Sequence, residues 1–326
     1  MEEKINIIPS VIIGKYRLRA LNNRLYTRPK NETFHEFLFN IVRWTFGKEW
    51  LQIQSTKPIN EQHVVFSWLN DFEENKKNEV KNINQLKTNQ IIEAEISGTV
   101  KALLQLGFDI YCLSSIGKFP EFAIKKLIND KEFQSIRYEI AIAAILVRAG
   151  FEIQWLDSIK QNFNQTHDEF KIIYDRFKIE MFVEVKSKRR EGILNEDGTF
   201  SLENEERKLV GKLIQKAVKQ GSSELPFLIF IDINLPNNKL KLIQKKDYLN
   251  KIVDEINYNL VENRDLFNVI IFTNYSYYYS RNSGKSTKSD YVIHISDNPQ
   301  IDHPQNDIYS VILRSLDKYS AIPNEI

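Results

Sequence analysis

The chain is poor in the residues that staple or ligate through sulfur. One cysteine, Cys112, stands among 326 residues. It cannot close an internal disulfide or build a thiolate metal cage, which excludes a disulfide-rich secreted scaffold and a zinc finger. An excess of one charge is also missing: 45 Lys and Arg stand against 43 Asp and Glu, for a formal net charge of +2. A histone-like or coat-like cationic protein is excluded, while a local basic patch for nucleic acid is not. No stretch nears the ~18 uninterrupted apolar residues of a membrane span. The N-terminal residues MEEKINIIPSVIIGKYR do not read as a secretory signal, so a reducing cytoplasmic setting is expected. A phosphate-binding loop is wanting too. Gly284-Lys285-Ser286-Thr287 resembles the end of one, but the glycine required five residues earlier is Tyr279. The five histidines (His35, His63, His167, His294 and His303) show no metal-ligand spacing.

Hydrophobic residues make up 42% and aromatics 12% of the chain, enough for a real core. The length fits two domains or one elaborated domain. Residues 1–95 read as a mainly helical accessory or recognition domain, with helices over 33–50 and 61–75. The charged, amide-rich run ENKKNEVKNINQLKTNQ reads as a solvated helix or linker at its boundary. Residues 96–130 form a helical connection broken at Gly117-Lys118-Phe119-Pro120. From 131 to 326 the pattern is α/β. KEFQSIRYEIAIAAILVRAG reads as a helix ending at Gly150, FEIQWL as a strand, and HDEFKIIY and FKIEMFVEVKS as a hairpin turning near Asp175-Arg176. Helix ENEERKLVGKLIQKAVKQ, strand ELPFLIFIDINLP, helix KKDYLNKIVDEINYNL and strands FNVIIFTNY and DYVIHIS follow. The order predicts a mixed sheet flanked by helices, unlike a doubly wound nucleotide fold.

The sharpest chemical signal is Glu184-Val185-Lys186 on an otherwise apolar strand. Alternate strand residues share a face, so Glu184 and Lys186 project together. The carboxylate suits a hard divalent cation, and the ammonium suits a phosphate oxygen or an attacking water. One strand earlier, Asp168 and Glu169 offer an acid to the same place. A two-residue turn puts Glu169 on the face of Glu184, whereas a three-residue loop or a bulge puts Asp168 directly opposite. Glu139 is the only ionisable residue in the apolar helical run from Tyr138 to Val147. A buried carboxylate needs a partner: Arg137, Arg148, a metal or a water bound to one. Basic residues lie close in sequence. Lys188, Arg189 and Arg190 follow the strand, and Lys208, Lys212, Lys216 and Lys219 recur at helical spacing, a stripe suited to a phosphate backbone. Gln215 and Gln220 share that helix. Tyr275, Tyr277, Tyr278 and Tyr279 form either strand-end packing or a stacking surface for unpaired bases.

A helix bearing Glu139, a strand, a hairpin with Asp168 or Glu169 on one arm and Glu184-Val185-Lys186 on the other, then a helix and a strand: this order resembles the PD-(D/E)XK nuclease superfamily, whose fold is restriction-endonuclease-like. The resemblance covers about residues 131–280. It departs at the first acid, where His167-Asp168-Glu169 stands instead of the usual Pro-Asp. The resemblance implies a Mg²⁺-dependent endonuclease, with Mn²⁺ as a substitute, hydrolysing phosphodiester bonds of DNA, with RNA as the open alternative, and serving in defence against foreign DNA. Glu184 and Asp168 or Glu169 would hold the metal with the Val185 carbonyl, Lys186 would orient water, and Glu139 would take a second metal or its water. It further implies nucleic acid as partner, in a homodimer or larger complex, and no membrane. The rival expectation is a catalytically inactive module of the same fold that binds nucleic acid or protein.

Overall fold

The computed structural model describes residues 9–82, 97–156, 169–187, 205–219, 224–233, 247, 249–254, 265–274, 291–304, 307–319 and 321–324. Its N-terminal part, read as mainly helical, also carries strands that the sequence reading did not mark. The alternation Tyr16-Arg17-Leu18-Arg19-Ala20-Leu21 has the two-residue period of a strand, and Asn22-Asn23 sit at φ 51° and 56°, as a two-residue type I′ hairpin turn requires. β1 (Val11–Ile13), β2 (Tyr16–Leu21) and β3 (Arg24–Pro29) therefore form a three-stranded antiparallel sheet. Its inner face lies on α1 (Phe34–Phe46): the buried Arg19 guanidinium sits 5.4 Å over Phe34 and 5.2 Å over Phe37.

The helix expected over 33–50 is two helices. Thr33 caps α1 through a capping box with Glu36, and Gly47, at φ 82°, ends it before α2 (Lys48–Thr56). A short 3₁₀ turn leads to α3 (Val64–Asn82), which runs into the charged segment read as a linker. α4 (Gly98–Ser115) is buried along almost its whole length, because α1 and α3 cover one side of it and α6 (Phe133–Arg148) the other. At Gly107 the backbones of α4 and α1 approach so closely that a Cβ would lie 2.7 Å from the Leu38 carbonyl oxygen. α5 (Glu121–Leu127) follows the Pro120 break. The apolar core then continues without interruption from α1 through α4 and α6 to the sheet.

That sheet has six strands in the order β4 (Glu152–Trp155), β5 (Phe170–Tyr174), β6 (Ile179–Ser187), β7 (Phe227–Asp232), β8 (Val269–Thr273) and β9 (Tyr291–Ile295). β6, β7 and β8 run parallel and the remaining neighbours antiparallel, so the mixed α/β sheet expected from the sequence is present. Met181, Val183 and Val185 of β6 enter the main core under α6. Phe182, one residue out of phase, packs toward a second apolar cluster beneath α7 (Glu205–Val218) and α8 (residues 249–254). After the last strand the structure adds α9 (Ile308–Asp317), unexpected from the sequence, which packs on α6. Among the described residues no helix is long and apolar enough to cross a membrane.

Candidate active site

The β5–β6 hairpin decides which acids can meet. Tyr174 pairs with Ile179, so the connection holds four residues, Asp175 to Lys178, and neither shorter turn considered from the sequence occurs. Lys178 takes φ 50° to close it. Phe170 pairs with Val183, and continuing that ladder would set Glu169 opposite Glu184. Yet the Glu169 N–H also donates to the Val183 carbonyl at 3.1 Å. Two residues of one strand thus face one of the other, which is a β-bulge at the site itself. A bulge is the condition under which the sequence reading sets Asp168 across from Glu184. Asp168 lies outside the described residues, as do Lys188, Arg189, Arg190, Gln220, the tyrosines 275–279 and residues 284–287.

Glu184 is fully buried, and its Oε2 has no hydrogen-bond partner among the described residues. Its nearest charge is the Lys186 ammonium, in ion-pair contact with Oε1 on the same strand face. The same ammonium lies 3.5 Å from Glu169 Oε1. One amine is therefore clasped by two carboxylates from neighbouring strands. Val185, between them, pairs with Phe230 and is buried in the core on the other face. Burial pulls the Lys186 amine below its ordinary value, Glu169 pulls it back up, and Lys216 of α7 pushes it down again.

Glu139 approaches from α6. It is 5% exposed; its Oε1 accepts the Ser135 hydroxyl at 3.2 Å, and Oε2 has no hydrogen-bond partner among the described residues. Arg148, one partner considered for it, turns to the carbonyls of Lys318 and Tyr319 instead. Burial pushes the Glu139 carboxyl up to about 7, and the negative charge of Glu169 adds to the rise, while Lys126 and Lys186 oppose it. Glu139, Glu169 and Lys186 thus share one electrostatic neighbourhood. Ser135 and Lys126 join it without having been singled out from the sequence. The i,i+4 spacing of Ser135 and Glu139 was the available signal for the first, and no local pattern marks the second.

Among the described residues no three His, Cys, Asp or Glu side chains gather closely enough to hold a metal ion between them. The donor set still suits a hard cation. Mg²⁺ keeps several waters and is bound through one or two carboxylates plus substrate phosphates. Glu184 and Glu169 provide two carboxylates already drawn together around a positive charge, with Glu184 Oε2 left without a partner among the described residues.

The basic stripe takes the expected form where it is described. Val210, Ile214, Ala217 and Val218 bury one side of α7, which leaves Lys212, Lys216 and Lys219 exposed along the other. Lys208 belongs to the helix, and its side chain is outside the description. No family model, curated protein or solved structure matches this chain.

Proposed function

We propose that the protein is a metal-dependent nuclease with a restriction-endonuclease-like domain, acting on the phosphodiester backbone of DNA. The observation that carries this reading is the clasp of Glu184 and Glu169 around Lys186 at the bulged end of β5 and β6. A buried anion of this kind is costly as mere structure and is what a site for a divalent cation and a phosphate requires.

Glu184, with Glu169 or Asp168, would hold Mg²⁺ or Mn²⁺. Such an ion supplies Lewis-acid polarisation of the phosphoryl oxygen. The chain's own residues do the rest. Lys186, released from its carboxylates, donates to the attacking water or to the non-bridging oxygens that gain charge in the transition state. Glu139, through its unpaired Oε2, accepts a hydrogen bond from a water on the α6 side. Lys212, Lys216 and Lys219 hold the phosphates that flank the scissile bond. A non-catalytic scaffold of the same fold is the second reading, favoured by the lack of a third ligating acid among the described residues.

Incubation with plasmid and oligonucleotides in Mg²⁺ or Mn²⁺ separates the two. Cleavage is expected in wild type, with a loss of about 10³-fold or more in Glu184→Ala and in Lys186→Ala. Binding without cleavage under every metal condition would establish the scaffold instead.

A further inference from the structure

We infer that Lys126 of α5 binds a phosphate of the nucleic acid beside Glu139, so that the substrate backbone crosses the end of the sheet between α5 and α7. The inference takes its DNA substrate from the nuclease reading and adds a second wall to that site.

Position is the first ground. α5 and α7 serve different sides of the sheet. Ala123 and Leu127 of α5 enter the main core with α6, whereas Val210, Ile214 and Ala217 of α7 enter the second apolar cluster. Each helix brings a lysine into the field of the site. The charge of Lys126 is felt at Glu139, and that of Lys216 is felt at Lys186.

Anchoring is the second ground. The Lys126 ammonium lies 5.2 Å over the Phe122 ring, Phe122 meets Trp155 edge-on at 5.6 Å, and Trp155 meets Phe170 at 5.1 Å. The Trp155 indole N–H donates to the Lys118 carbonyl at 2.8 Å, just ahead of α5. The next residue, Leu156, donates its N–H to the Glu169 carbonyl at 3.2 Å. Packed rings thus connect the ammonium to the bulge that carries Glu169. A substrate contact set on a helix and held by such packing is placed more sharply than one on a loop.

Charge is the third ground. Glu139, Glu169 and Glu184 bring three carboxyl groups to the site, and Lys186 is clasped by two of them. A polyanion drawn to these acids needs further positive charge beside them. Lys126 is half-buried, and Glu139 Oε2 has no hydrogen-bond partner among the described residues, so the lysine acts on that oxygen through space. Across such a gap a water or a phosphoryl oxygen bridges the two groups.

The test is fluorescence anisotropy of the full chain on duplex DNA in metal-free buffer, beside thermal melts that report folding. Lys126→Met keeps a stem over Phe122 and removes the charge. It is expected to weaken binding of all sequences about five- to tenfold and to lower the salt slope by about 0.9. Lys126→Arg, and Lys125→Ala at the exposed neighbouring position, stay within about threefold of wild type. The loss persists when Lys126→Met is combined with Glu139→Gln. If it vanishes in that background, Lys126 is only a counterion of Glu139 and the inference falls. Wild-type affinity in Lys126→Met, or an equal loss in Lys125→Ala, overturns it as well. Cleavage by wild type with unchanged binding in Lys126→Met sinks this inference and spares the nuclease. A binding loss in Lys126→Met, with no cleavage by wild type in Mg²⁺ or Mn²⁺, does the reverse. Failure of wild type to bind DNA overturns both.

Discussion

Three buried titratable residues give this fold opposing responses to pH. Asp109 is enclosed between α4 and the residues after α9, where it accepts hydrogen bonds from the Tyr319 hydroxyl at 2.8 Å and from Gln105 at 3.0 Å. Burial pushes its carboxyl up to about 7 despite those bonds and the nearby Arg148 and Arg137. The folded state then prefers the protonated form, so this contribution is complete below pH ~4 and is lost as the pH rises through about 7. His63 is the reverse. Burial lowers it to about 4, against the pull of Asp130 at 3.5 Å, so its contribution is complete above pH 6.5 and lost as the pH falls toward 4. Thermal melts at pH 7.5 and 5.0 separate the two. Relative to wild type, the drop in Tm on acidification is smaller in His63→Gln and larger in Asp109→Asn. Glu139, also pushed up to about 7, behaves as Asp109 does, so metal-free Glu139→Gln loses less stability between pH 4.5 and 7 than wild type.

At the level of elements, the backbones of α1 and α4 come close at Gly107. A methyl group at Gly107 would meet the Leu38 carbonyl, which cannot move without shifting a helix. Gly107→Ala is therefore expected to cost about 1–3 kcal/mol, read as a lower denaturation midpoint with an unchanged m-value. On α7, Ala at Lys212, Lys216 and Lys219 together should reduce DNA affinity for all sequences alike and lower the salt slope by no more than about 0.9 per lysine. The strands and helices around the site were legible because their periods are strong: Phe227–Ile231 is continuously apolar and buried, and Phe133–Arg148 presents apolar residues on every side. The N-terminal sheet was missed because its alternating residues are Arg and Leu, and one of the two side chains of β2 that are buried, Arg19, is cationic. It is buried by lying over Phe34 and Phe37, a tertiary event that no local pattern encodes. At the site, Glu139, Glu184 and Lys186 were legible as charges within apolar runs. The hairpin register was not, because it depends on a four-residue turn with Lys178 at positive φ and on a bulge at Glu169.

Over the whole molecule, one apolar core joins the N-terminal helices to the six-stranded sheet. Trp68 of α3 packs against Phe133 of α6, and Tyr138 of the same helix bonds to Thr273 of β8 at 2.7 Å. Calorimetry of the full chain should therefore show one cooperative transition in which both ends melt together. A fragment beginning at residue 97 loses the partners of Phe108, Tyr111 and Phe133 and should fail to give a sharp melt.

The hydrogen bond from Tyr319 to Asp109 crosses 210 positions of sequence. During synthesis the Asp109 carboxyl, which Gln105 reaches from one turn away, must wait for a further 210 residues to emerge before its Oδ2 is filled. Chains cut short of Tyr319 would bury the Asp109 carboxyl with Oδ2 lacking its donor, a defect that exposes them to proteases. The polar pairing inside the first helical layer is thus completed only by residues made after α9.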